Sequence, residues 1–209
     1  MKNLFLAIIA MFICVEVDAQ LLTDIDEYFP FQDELAPIKK GEKWGFINKK
    51  GDIEINFRDD IVVLNDNAFV RSEFINSTSY PIFSNNRCLI KKLIDGTYYY
   101  GYINEKGNEI IEPQFLNASN FKNGYALAIK LAKNSIGYNE VLKKNIVTYR
   151  LEEYIIDTEG TLFKYLYNER NYIPSKTQNS SPPIFYSKFI APNLIAVKNK
   201  DQKWDLYDF

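Results

Sequence analysis

One local pattern returns along this chain at nearly constant intervals. Residues Lys43 to Ile55 read KWGFINKKGDIEI, and Tyr100 to Ile111 read YGYINEKGNEII. A fainter copy runs through VTYRLEEYIIDTEGTLF, Val147 to Phe163, and a short one through VKNKDQKWDLYDF, Val197 to Phe209. The anchors Trp44, Tyr100, Glu153 and Trp204 stand 56, 53 and 51 residues apart. A period in this range marks a fold built from repeated supersecondary units. Each copy has strand character: aromatic and β-branched residues in short runs, broken by polar turns. Asn48, Asn104 and Asp157 suit the first position of a type I turn, and Gly51, Gly107 and Gly160 the left-handed position that follows it. The next segment alternates polar and apolar, placing Ile53, Ile55 and Phe57 on one face.

The unit is therefore a three-stranded antiparallel meander. One such meander cannot bury its apolar face alone, so the copies must pack on each other. The expected fold is all-β with four degenerate copies, about 35–57, 86–115, 124–163 and 193–209, in a single domain. Two layouts satisfy this: a small propeller-like toroid and a short β-solenoid. The toroid is the first expectation, with Asp26–Phe31 or Glu34–Ile38 completing the last copy and closing the ring. Gly45 and Gly101 sit inside strands, where glycine weakens pairing. A ring packed over the bare backbone accounts for them.

Trp44-Gly45 with the downstream Lys-x-Gly turn resembles the WG repeat, a β-rich repeat found in bacterial proteins. So does YGYINEKGNEIIEPQF followed by FKNGYALA, Phe121 to Ala128. The second copy matches best. The first lacks the exit prolines, the third has Glu153-Tyr154 in place of the pair, and the fourth has Asp205 where glycine belongs. The resemblance implies a non-catalytic repeat module and transfers no ligand-binding residues. It assigns Trp44, Gly45, Gly51, Tyr100, Gly101, Gly107, Gly160 and Trp204 structural roles in the repeat.

The first 19 residues read as an export leader: Lys2, then an apolar run from Leu4 to Val15, then Val17-Asp18-Ala19 as a cleavage site after Ala19. The run falls short of the ~20 apolar residues of a membrane span. Cys14 lies within it, so residues 20–209 keep only Cys88. That thiol is expected to be a buried small hydrophobe. The formal charge is −2, which gives no general attraction for nucleic acid. The chain has no His, which excludes imidazole bases and the usual zinc sets. No phosphate-binding glycine loop is present, and no cofactor or metal is expected. The neighbouring carboxylates Asp59-Asp60 and Glu152-Glu153 point to opposite strand faces, which argues against joint acid–base work. Enzymatic activity is not expected.

Tyrosine and phenylalanine, 15 of each, are the richest resource. In Thr97–Tyr102, Tyr98, Tyr100 and Tyr102 share one face and Tyr99 takes the other. The expected function is a secreted or periplasmic module that presents a surface to another envelope or secreted protein. The alternative is an envelope or extracellular glycan stacked on exposed Tyr98 and Tyr99, and a hydrolase acting through paired carboxylates is a distant third.

Overall fold

The computed structural model describes residues 22–64, 80–174 and 181–209. The leader, Cys14, the strand expected around 68–74 and the centre of the loop expected over 167–183 lie outside these residues. Among the described residues there are sixteen strands and no helix. They form four antiparallel sheets. The first joins β1 (Glu27–Tyr28), β2 (Leu35–Lys40), β3 (Lys43–Asn48) and β4 (Ile53–Arg58) in that order. The second joins β5 (Phe83–Ser84), β6 (Arg87–Ile94), β7 (Thr97–Ile103) and β8 (Glu109–Phe115). The third joins β9 (Asn117–Ala118), β10 (Tyr125–Asn139), β11 (Lys144–Asp157) and β12 (Leu162–Tyr165), with β13 (Arg170–Tyr172) also on β11. The fourth joins β14 (Ser187–Ala191), β15 (Leu194–Lys198) and β16 (Trp204–Asp208).

The expected meander is complete in the first three sheets, each with a further short strand on its first side; the fourth sheet has β14 on that side and only the first two meander strands, β15 and β16. Register proves the equivalence of the copies. Trp44 stands opposite Lys39, Tyr100 opposite Lys91, Glu153 opposite Ile129 and Trp204 opposite Lys198. The turns repeat as well. The side-chain oxygen of Asn48 accepts the amides of Lys50 (2.9 Å) and Asp52 (3.1 Å). Asn104 does the same for Lys106 and Asn108, and Asp157 for Glu159 and Thr161. Such side chains imitate a backbone turn and fix the hairpin. Gly51, Gly107 and Gly160 follow at φ +85°, +79° and +81°, a region in which other residues are strained.

Two of those glycines do a second job. A Cβ on Gly107 would stand 3.3 Å from Ile55 of the first sheet, and one on Gly160 would stand 3.0 Å from Ile111 of the second. Ile55 pairs with Phe46 and Ile111 with Tyr102, so the two isoleucines are equivalent. Each turn thus rests on the same position of the preceding copy. The strand glycines differ from each other. The Phe57 ring lies over Gly45, at 3.3 Å from a would-be Cβ, as an aromatic cover should. Both glycines face a bulge in the following strand: the Ile55 carbonyl stands 3.1 Å from a Cβ on Gly45, while at Gly101 the backbone of β8 comes closer, with Pro113 N at 2.6 Å and Glu112 C at 2.8 Å. A bulge re-aims a strand at the cost of one such close approach.

The anchor-bearing face of each of the first three sheets packs against the next sheet. Trp44, Phe46 and Ile55 meet Cys88, Ile90 and Ile103 of the second sheet. On the other side of that sheet Tyr100, Tyr102 and Ile111 meet Ala126, Ala128 and Ile156 of the third. Leu127 and Ile155 meet Ile195 and Val197 of the fourth. Among the described residues no buried cluster joins the fourth sheet to the first. The ring-closing strand expected near the start is used elsewhere: β1 pairs with β2, and β2 with β3. The sheets thus pack face to face in chain order, first on second, second on third and third on fourth. Cys88 is buried between the first two sheets, and burial pushes its thiol well above the ordinary range.

Candidate functional site

The third copy departs most from the pattern, and the features of functional interest gather around it. Its anchor is Glu153, a carboxylate with no exposed surface. Strand β11 holds it where β3 and β7 hold rings. A buried charge persists only when paired and hydrogen-bonded. Arg170 Nη2 donates to Oε1 at 2.6 Å and the Tyr186 amide at 2.7 Å, while the Ser187 hydroxyl donates to Oε2. Arg170 also donates through Nη1 to the Ile184 carbonyl at 2.9 Å, and its guanidinium lies 4.1 Å from the Tyr186 ring centre. One carboxylate thereby ties β11, β13 and the start of β14 together. The sequence shows Glu153 only as a worn copy of the repeat. The available signal is an acid at the anchor position, where the other copies carry Trp44, Tyr100 and Trp204.

Beside this hub, between the end of the third sheet and the fourth, lies a cleft of about 620 Å³. Four tyrosines, Tyr165, Tyr167, Tyr186 and Tyr207, line it together with Asn168 and Arg170. Its charges are mostly satisfied internally. Arg170 is paired with Glu153, Glu169 with Arg150, and Asp205 accepts both bonds of the Asn199 amide at 3.1 and 3.2 Å. Burial first, and Glu169 second, hold the Tyr165 phenol above its usual range. A second hollow, of about 460 Å³, lies along β4 and is floored by Gly107. Arg58 and Asp60 in its wall are paired to each other, and Arg58 also donates to the Gly107 carbonyl at 2.9 Å.

The other feature is an arm. Strands β10 and β11 run on past the sheet. Among the described residues, 134–148 pair only with one another, whereas the base of the hairpin also carries β9, β12 and β13. Six residues of extended strand give the arm a reach of about 20 Å. The segment Asn134–Ile146 reads as a polar extension of the hairpin tip. In space its apolar residues are what stand out: Ile136, Tyr138, Val141 and Leu142 are all exposed, Val141 at 90%.

The tyrosines read as candidate ligand contacts are half-buried. Tyr98 packs against the cluster between the second and third sheets, with Lys91 Nζ 4.9 Å from its ring centre. Tyr99 points the other way, against Leu116, Ile129 and Leu151. Tyr100 and Tyr102 are core residues, and burial raises the Tyr100 phenol to about 12. Trp44 is buried. Its equivalent Trp204 is 44% exposed, on the outer face of the fourth sheet, with Lys188 Nζ 4.7 Å and Lys198 Nζ 5.6 Å from its ring. Glu152 and Glu153 are divided as expected: Glu153 serves Arg170 and Glu152 accepts the Tyr154 hydroxyl at 2.8 Å, while Asp60, past the end of β4, serves Arg58. Among the described residues no group of three potential metal ligands assembles.

The family model described as WG containing repeat matches residues 24–44 and 100–131. Nothing among the curated proteins or the solved structures matches the chain.

Proposed function

We propose that this chain, as a WG-repeat protein, acts as an exported, non-catalytic module whose third copy reaches out to hold another protein. The observation that carries this reading is the arm. Four apolar side chains at the end of a two-stranded ribbon expose far more than a free ribbon gains from. Aromatic and branched side chains held on a short, hydrogen-bonded support lose little freedom when a partner covers them. The repeat stack supplies the rigid base, since β10 and β11 are clamped between β9 and β12. Export rests on the leader pattern of residues 1–19. An exported partner is the matching consequence.

A photo-crosslinking residue at Val141 tests the reading, with the same residue at exposed Tyr28 as the control. In an envelope fraction of the source organism, position 141 is expected to give a discrete adduct that position 28 does not. Excess unlabelled protein should chase it. Excess of a variant with residues 135–147 replaced by Asn-Gly should not. That variant should keep its fold, because among the described residues no third strand lies beside the arm. Absence of an adduct at 141, or equal competition by the armless variant, contradicts the proposal.

A further inference from the structure

From the cleft between the third and fourth sheets we infer a second binding site, for a saccharide. Three independent features point there. The first is unused hydrogen-bonding capacity. Both polar atoms of the Asn168 amide are shielded from solvent and have no partner, and neither has Arg170 Nε. Buried polar groups are nearly always paired, and each exception asks for an explanation. A side-chain amide offers donor and acceptor in one plane, as two neighbouring hydroxyls of a sugar do in return. The second feature is backbone strain beside it. Tyr167 has φ +53°, a left-handed conformation that is strained for a non-glycine residue. That conformation leaves its ring 85% exposed at the rim, where burial would otherwise be favoured. The third is the lining itself. The faces of Tyr167 and Tyr207 suit the C–H faces of a pyranose, and the volume of about 620 Å³ lies in the range of small-ligand sites.

Charge selects among polar ligands. With Arg170, Glu169 and Asp205 already paired, the cleft has no concentrated positive charge for a phosphate. Lys198 and Lys200 at its wall leave room for one carboxylate, so a uronate-containing chain is admitted alongside neutral ones. The site is separate from the arm: it lies past β12, and its occupancy does not involve residues 134–148.

The test titrates ¹⁵N-labelled protein with cellotetraose, chitotetraose, mannotetraose, maltotetraose and tetragalacturonate. At least one is expected to shift the Asn168 side-chain amide signals. Tyr167→Ala should weaken that ligand about tenfold, worth about 1.4 kcal/mol, and Asn168→Ala at least as much. The exposed Tyr167 ring can be removed without loss of core, so a folded variant is assured for one arm of the test. Silence from all five sugars overturns the inference. So does binding that neither variant weakens. Either result leaves the crosslink at Val141 untouched, so the two readings fail separately.

Discussion

Replacing Glu153 with alanine should destabilise the protein by about 3–5 kcal/mol, the usual cost of removing one partner from a buried ion pair. The carboxylate has three donors, and the substitution strands all of them. Arg170 then keeps its charge beside Tyr186 with only the Ile184 carbonyl as acceptor. The Tyr186 amide and Ser187 hydroxyl also lose their acceptor. Glu153→Gln separates charge from shape, since it retains the volume and one acceptor, and it should cost less than alanine. Urea unfolding gives the numbers. A loss below about 1 kcal/mol for Glu153→Ala would mean the third and fourth sheets are held by Leu127, Ile155, Ile195 and Val197 alone.

Tyr102→Ala should cost a similar about 3–5 kcal/mol, for a different reason. Its ring is wholly buried between the second and third sheets, 4.7 Å from the centre of the Phe121 ring. Removing it opens a cavity at the middle of the stack. Its hydroxyl donates to the Ser119 carbonyl at 2.6 Å, so Tyr102→Phe should lose about 1 kcal/mol by itself. The difference between the two variants, read from denaturation midpoints, isolates packing from the hydrogen bond. Equal losses would show that the bond to Ser119, and not the ring, holds the seam.

Much of this fold is legible because its signals are local. An Asn or Asp followed by glycine three residues on contains its own turn, and the alternation after it fixes a face. The anchor position repeats because each sheet must cover the next, which made Trp44, Tyr100 and Trp204 recognisable together. What the sequence hid is long-range. Glu153 looks like decay of the repeat until Arg170 and Ser187 arrive from later strands. Gly101 looks like Gly45, yet the bulged backbone opposite it approaches far more closely, and the ring lies only over Gly45. Strands β10 and β11 alternate in the same way whether or not a third strand lies beside them, so the freedom of the arm was invisible. The cleft tyrosines Tyr165, Tyr167, Tyr186 and Tyr207 come from three separate segments. The dense run at Tyr98–Tyr102 drew notice instead because adjacency is easier to see than convergence.

The copies lie face to face in chain order, with the turn glycines Gly107 and Gly160 each seated on one isoleucine of the copy before. The direct measurement is a methyl-resolved NOE spectrum of the intact protein. Contacts from the Gly107 α-protons to the Ile55 methyls and from the Gly160 α-protons to the Ile111 methyls are predicted together, with the same pattern in both pairs. Finding neither contact, in a protein whose hairpins are otherwise formed, would contradict the stacked order.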